Sequence, residues 1–199
     1  MSIFLAVAKL GITVIEAIGL AGVLILMTLE SALIPIPSEV VMIFAGFLVQ
    51  KGKFTLAGAT LAGTLGNVFG SIAAYILGYK VGRPFIIKYG KYILLSKEHV
   101  AMAEEFFAKH GNLAVFAGRL MPAIRTVISF PAGLACMRFT PFIVLTFLGS
   151  LPWNLALTYI GMILGEKWSA VEEYSLYVDL VGIAALILLA LYVLKRKRG

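Results

Sequence analysis

Apolar residues run through this chain in long blocks, and the polar interruptions between the blocks carry most of the information. Gly11–Leu29 is the first block, and it predicts a membrane span with Glu16 near one interface. A proline-broken stretch follows, E-S-A-L-I-P-I-P-S-E from Glu30 to Glu39. Val40–Val49 is apolar again, but at ~1.5 Å per residue it crosses only about half of a ~30 Å hydrocarbon core. A half-length segment behind a Pro-x-Pro break predicts a re-entrant hairpin, which polar Gln50–Lys53 ends. Phe54–Tyr79 predicts a full span. Along it Ala62, Gly66, Gly70, Ala74, Gly78 and Gly82 recur at every fourth position, a narrow small-residue stripe that lets another backbone approach closely.

Lys80–Gly111 is the most polar stretch, and Lys80, Arg83, Lys88, Lys91 and Lys97 make it basic. Ser96 is a candidate cap for a helix running to about His110, with Gly111 as its stop. Val100, Ala103, Phe106 and Phe107 share one face, so an amphipathic helix on the membrane surface is expected. His99 and His110 have no partner motif and read as solvated. Asn112–Met137 is apolar but broken, and holds Arg119, Pro122, Arg125 and Pro131. Phe139–Leu164 predicts a full span, Gly165–Tyr174 a weakly acidic loop, and Ser175–Leu194 a last span that Lys195-Arg196-Lys197-Arg198 follows directly.

Composition agrees. Of 199 residues, 61% are hydrophobic and the mean hydropathy is +0.99, well above soluble domains. The expectation is one all-α polytopic membrane domain over residues 1–199, with about four full transmembrane helices. Met1–Leu10 carries only Lys9 and no small-residue cleavage site follows, so the first segment is expected to remain as an anchor. The net charge of +7 does not call for nucleic acid, because the basic residues gather in loops and at the C-terminus as membrane orientation requires. Cys136 stands alone, and no metal or cofactor spacing is present.

The terminal Lys/Arg cluster belongs on the cytoplasmic side. Working back through the spans, the 166–173 loop is external, the Lys80–Lys97 stretch cytoplasmic, and the N-terminus cytoplasmic. The Pro35/Pro37 segment then enters and leaves from outside, and the Pro122/Pro131 segment from inside. Two opposed broken segments, each before a full span, form the pattern of an inverted repeat with its binding site near the bilayer midplane.

The broken segments hold the candidate chemistry. Glu30 and Glu39 lie in the first, Arg119 and Arg125 in the second. A charge at mid-helix depth costs ~2.5–3.5 kcal/mol on insertion scales, so two acids from one side and two bases from the other are expected to meet. They either only fix the fold, which buried pairs do poorly compared with an apolar core, or form a functional site. The prolines Pro35, Pro37, Pro122 and Pro131 break the helices and free backbone groups, which is tolerated where the segment lines a cavity. Arginine suits phosphate because its planar fork makes two parallel hydrogen bonds, and a buried Glu can carry a proton. Asn67, Thr126, Ser129 and Asn154 are candidates for neutral hydrogen bonds.

Several motifs coincide. They are E-x4-P-x-P-x-E at Glu30–Glu39, A-G at Ala45-Gly46, G-N-x-x-G at Gly66–Gly70, Y-x-x-G at Tyr75–Gly78, F-x-G-R-x-x-P-x-x-R at Phe116–Arg125, P-A-G at Pro131–Gly133, and G-x-x-x-W at Gly149–Trp153. Together, from about Gly19 to Gly165, they resemble the DedA family within the broader VTT-domain group. The resemblance implies an inner or plasma membrane protein with two opposed re-entrant segments. It also implies a role in moving a lipid carrier, notably undecaprenyl phosphate, or in membrane homeostasis that depends on the proton gradient. In the family the acids matching Glu30 and Glu39 and the arginines matching Arg119 and Arg125 are essential.

The leading expectation is a lipid-phosphate flippase, with Arg119 and Arg125 on the phosphate and Glu30 and Glu39 in proton coupling or gating. A proton- or cation-coupled transporter of a small solute and a non-transporting membrane scaffold are the alternatives. Enzymatic chemistry is disfavoured: Lys80-x-x-Arg83-Pro84 faintly echoes a phosphatase motif, but no G-x-S-x-G, P-loop or metal-ligand cluster accompanies it.

Overall fold

The computed structural model describes residues 3–34, 36–82, 97–121 and 124–165. The expected last span Ser175–Leu194, the 166–173 loop, the terminal basic cluster, the stretch 83–96, Pro35 and Pro122 lie outside them. Every regular element described is helical: α1 Ile3–Ile18, α2 Leu20–Ser31, α3 Ser38–Gln50, α4 Leu56–Ile76, α5 Lys97–Leu120, α6 Ser129–Leu134 and α7 Phe139–Leu164.

The first expected span is not one helix. Gly19 sits at φ 63° and separates α1 from α2, a left-handed conformation that glycine adopts without steric cost. The chain folds back there: Leu26 lies against Gly11, and Gly22 packs on the backbone of Val14 and Ile15. The hydropathy run from Gly11 to Leu29 hid this turn because both arms are apolar. α2 and α3, of 12 and 13 residues, are therefore two half-length arms, each ~20 Å or less, on either side of the Pro-x-Pro break. Pro37 immediately precedes α3, where its fixed φ suits a helix start. Leu33, between the arms, takes φ 72°, which a residue with a Cβ adopts only under strain.

Two described helices are long and apolar enough to cross a membrane, Leu56–Lys80 and Phe139–Leu164. Thr55 starts the first by accepting the Gly58 N–H at 3.0 Å, and a π turn, Leu77–Gly82, continues it. Their polarity is inverted relative to a water-soluble bundle. On α4, Thr60, Thr64, Asn67 and Ser71 are buried while Leu61, Leu65 and Phe69 are exposed; on α7, Ser150, Asn154 and Thr158 are buried while Leu148, Leu155 and Ile163 are exposed. Lipid is the solvent that such an exterior fits.

α5 is kinked at Gly111, which has φ 50° and ψ −130°, so a helix over 97–110 stops at that glycine and a second runs over 112–120. Phe107, expected on a lipid-facing stripe, is instead buried with Ala114, Val115 and Phe142. The side chains of Val100, Ala103 and Phe106 lie outside the described ones. After α5 the chain makes turns over 124–128 and enters α6. Pro131 does not break a helix; it sits in the first turn of α6, where its missing N–H has no intrahelical partner to lose.

The two broken segments pack reciprocally. α2 lies on α4, where Gly66 and Gly70 face the Leu24 and Thr28 carbonyls, and α3 lies on α7, where Gly46 faces the Thr158 carbonyl and Gly161 the Ile43 carbonyl. The end of α5 lies on α7 through Gly149, and α6 lies on the end of α4, where Gly133 faces the Tyr75 carbonyl and Gly78 the Phe130 carbonyl. Each segment thus sets its first arm on the long helix that follows it and its second arm on the other long helix. The stripe on α4 is shared between α2 and α6, as small residues permit.

Candidate functional site

The breaks converge. Glu30 and Ser31 end α2, Ser38 and Glu39 begin α3, Arg119 ends α5, and Arg125 lies in the turns before α6. α4 contributes Asn67 and Ser71, and α7 contributes Ser150, Trp153 and Asn154. Glu30, Ser31, Asn67, Arg119, Arg125, Thr126, Ser150 and Trp153 line one small cavity.

Arg125 is the meeting point. Its Nη2 donates to Glu39 Oε1 at 2.8 Å, stands 3.6 Å from Glu30 Oε1, and donates to Ser38 Oγ. Both acids of the first break therefore reach one nitrogen of one arginine of the second. The two carboxylates are not equivalent. Glu30 is 5% exposed, and its Oε2 accepts from Ser31 Oγ at 3.1 Å and Asn67 Nδ2 at 3.2 Å. The Glu39 side chain is 48% exposed, with the arginine and Ser38 as its partners.

Arg119 is placed differently from the sequence expectation. At 2% exposure it makes no ion pair with either acid. Its Nη1 donates to the Arg125 carbonyl at 2.7 Å, and its Nη2 donates to Ser71 Oγ at 2.7 Å and Ser129 Oγ at 2.6 Å. It ties α5 to α4, to α6 and to the backbone that carries Arg125. Ser71 in turn donates to the Asn67 carbonyl one turn back.

A polar bridge joins the long helices behind the charges. Asn154 Nδ2 donates to Asn67 Oδ1 at 2.7 Å and to Thr64 Oγ1 at 3.2 Å, and Asn67 Nδ2 donates to Ser31 Oγ at 2.8 Å. Of the neutral candidates, Asn67, Ser129 and Asn154 are in this network, and Thr126 lines the cavity. Ser31, Ser38 and Ser71 were not singled out in the sequence, and Trp153 stood there only as the end of the G-x-x-x-W motif, with no role given to it. Ser38 adjoins Glu39, and Ser71 follows Asn67 by one helical turn; that spacing was the available signal. The Trp153 ring lies 4.9 Å from the Arg125 guanidinium carbon, a cation–π arrangement whose strength grows when the cation is desolvated. Arg119 Nε, Arg125 Nε and Trp153 Nε1 are buried without a hydrogen-bond partner. Arg125 brings positive charge to the cavity, and the buried unpaired N–H groups are donors without an acceptor.

Two long helices that turn apolar side chains outward and polar ones inward, and a cavity of paired Arg and Glu at two helix breaks, define an all-helical integral membrane protein. Comparison with known sequences is specific. The VTT domain matches residues 36–163, and the chain belongs to this family, the VTT-domain (DedA) proteins. It is 39% identical to undecaprenyl phosphate transporter A of Bacillus subtilis over 94% of this chain and 93% of that one. It is 44% identical to the uncharacterized membrane protein YkoX of the same organism, over 82% of this chain and 74% of that one. It is 35% identical to an alkaline phosphatase-like protein of Lactococcus lactis, over 93% and 91%. No solved structure matches the chain.

Proposed function

We propose that this protein is a translocase for a lipid phosphate of the undecaprenyl phosphate type, acting in the cell membrane with both termini on the cytoplasmic face. The observation that carries the reading is Arg125, buried at a helix break and held by one fixed carboxylate, Glu30, and one exposed carboxylate, Glu39. A phosphate entering the cavity competes with Glu39 for the arginine, while Glu30 stays as the permanent counter-charge. Proton uptake by the displaced Glu39 would couple transport to the proton gradient. Arg119 serves by holding the Arg125 backbone. The head group crosses without bond cleavage, and its tail stays in the bilayer. The name of the Bacillus relative at 39% identity supports the substrate class.

An inverted repeat supports an alternating route. Ser38 and Arg125 hydrogen bond, Asn67 and Asn154 hydrogen bond, and each pair is 87 residues apart. The same shift carries Pro35 onto Pro122, Ala45-Gly46 onto Ala132-Gly133, and Ser71 onto Thr158. Ser71 and Thr158 both donate to an Asn carbonyl one turn back. Under a pseudo-two-fold, a residue meets its own counterpart only on the axis, so these two contacts favour a site on that axis. The half-length arms α2 and α3 fit a re-entrant hairpin.

The test is liposome reconstitution, following undecaprenyl phosphate accessibility between leaflets with and without an imposed pH gradient. The wild type is expected to equilibrate the lipid and Arg125→Ala to lose most of that activity. Equal rates for folded Arg125→Ala and wild type would overturn the head-group role.

A further inference from the structure

The Gly149-x-x-x-Trp153 motif is not used by the reading above, yet its two ends meet the two arginines. A Cβ on Gly149 would lie 2.6 Å from the Arg119 Cβ, so a bare backbone lets Arg119 lie against α7. One turn further on, the Trp153 ring lies 4.9 Å from the Arg125 guanidinium carbon. The four-residue spacing puts both contacts on one face of α7.

Trp153 is more than a shelf for that cation. It lines the same cavity as Arg125, Thr126 and Ser150. Its indole Nε1 is buried and without an acceptor, and so is Arg125 Nε. The acceptors supplied by the protein, from Glu30, Glu39 and Ser38, all lie at Nη2 of Arg125. Buried N–H groups are nearly always paired, and indole can only donate. Two buried unpaired donors on residues that line one cavity, one of them on a cation, describe a site that lacks an acceptor of negative charge.

We propose that Trp153 is a substrate-binding residue. Its indole N–H and the Arg125 Nε–H donate to oxygens of a phosphate monoester head group, while the ring holds the guanidinium plane in register. The proposal rests on the lipid-phosphate reading and adds the residue that reads the phosphate beside the arginine.

The full chain in lipid nanodiscs is titrated with undecaprenyl phosphate and, separately, with undecaprenol, which has the same tail and no phosphate. The wild type is expected to prefer the phosphate. Trp153→Phe keeps a ring against Arg125 and removes the N–H, and it should weaken phosphate binding about tenfold with undecaprenol binding unchanged. Trp153→Leu removes the ring as well and should weaken it further. Benzothienylalanine placed at 153 by nonsense suppression removes the N–H at constant shape, and carries the test if Trp153→Phe does not fold. Wild-type phosphate affinity in either N–H-free variant, with the wild type still preferring phosphate, would overturn the proposal and leave the head-group reading standing. No phosphate preference in the wild type would overturn both.

Discussion

Arg119→Lys keeps the charge and removes the fork. In the wild type, two terminal nitrogens of Arg119 make three hydrogen bonds, to the Arg125 carbonyl at 2.7 Å and to Ser71 and Ser129 at 2.7 and 2.6 Å. A lysine ammonium is a single point on a differently shaped stem and cannot span acceptors on three segments. Losing two hydrogen bonds to a charged group removes about 3–6 kcal/mol by soluble-protein values. Bonds between membrane helices are weaker, since the unfolded state in lipid also finds partners, so a loss of about 3 kcal/mol is expected. Unfolding in mixed micelles by increasing SDS fraction measures it. Ser71→Ala and Ser129→Ala should each be milder, and because both serines accept from one nitrogen, their double variant should lose less than the sum. Translocation should fall with Arg119→Lys even under conditions where the protein stays folded, because the Arg125 carbonyl has lost its anchor. A stability loss below about 1 kcal/mol, together with full transport, would refute the strut role.

The two glutamates should separate under substitution. Glu30→Ala removes a buried partner of Arg125 and should cost roughly 3–5 kcal/mol as buried-pair breakage does, whereas Glu39→Gln, at an exposed end, should leave the SDS unfolding midpoint nearly unchanged while raising phosphate affinity; equal midpoints for the two would contradict the division of roles. Gly161→Leu should separate α3 from α7, since a Cβ there runs into the Ile43 backbone and backbone does not yield as a side-chain end does; loss of folded protein on gel filtration is expected, and a normal elution profile with wild-type activity would count against the close crossing.

Much of the fold was legible where composition and punctuation agree. The two long helices and the small-residue stripe follow from apolar length and fourfold spacing, and the glycine stop at Gly111 was readable from a polar helix ending in glycine. The first turn was not. Gly19 lies inside an unbroken apolar run, and hydropathy carries no information about the sign of φ. Pro131 misled for a related reason, because a proline breaks a helix or opens one according to where the first turn falls. In the site, the four charged residues stood out because charge in an apolar chain is costly. Their division of labour did not, since burial of Glu30 against exposure of Glu39, and the serine cradle of Arg119, are set by contacts far apart in sequence. The 87-residue register was present in the letters, but a handful of small, proline and amide positions such as Pro35/Pro122, Gly46/Gly133 and Asn67/Asn154 carry it, and no alternation or charge pattern draws attention to them.

The short arms have an electrical consequence. A helix that ends inside the protein brings its pole there: about half a positive charge at its start and half a negative charge at its end. Glu39 occupies the first turn of α3, the positive pole, and Arg119 the last turn of α5, the negative pole; each sits where the main chain favours its sign. Glu30, in the last turn of α2, sits against the sign of its pole, which leaves it dependent on Arg125 and Asn67. Part of the field in the cavity is thus built into peptide groups, away from the reach of mobile counter-ions. Added salt should leave it largely intact, and no side-chain substitution removes it without unmaking a helix.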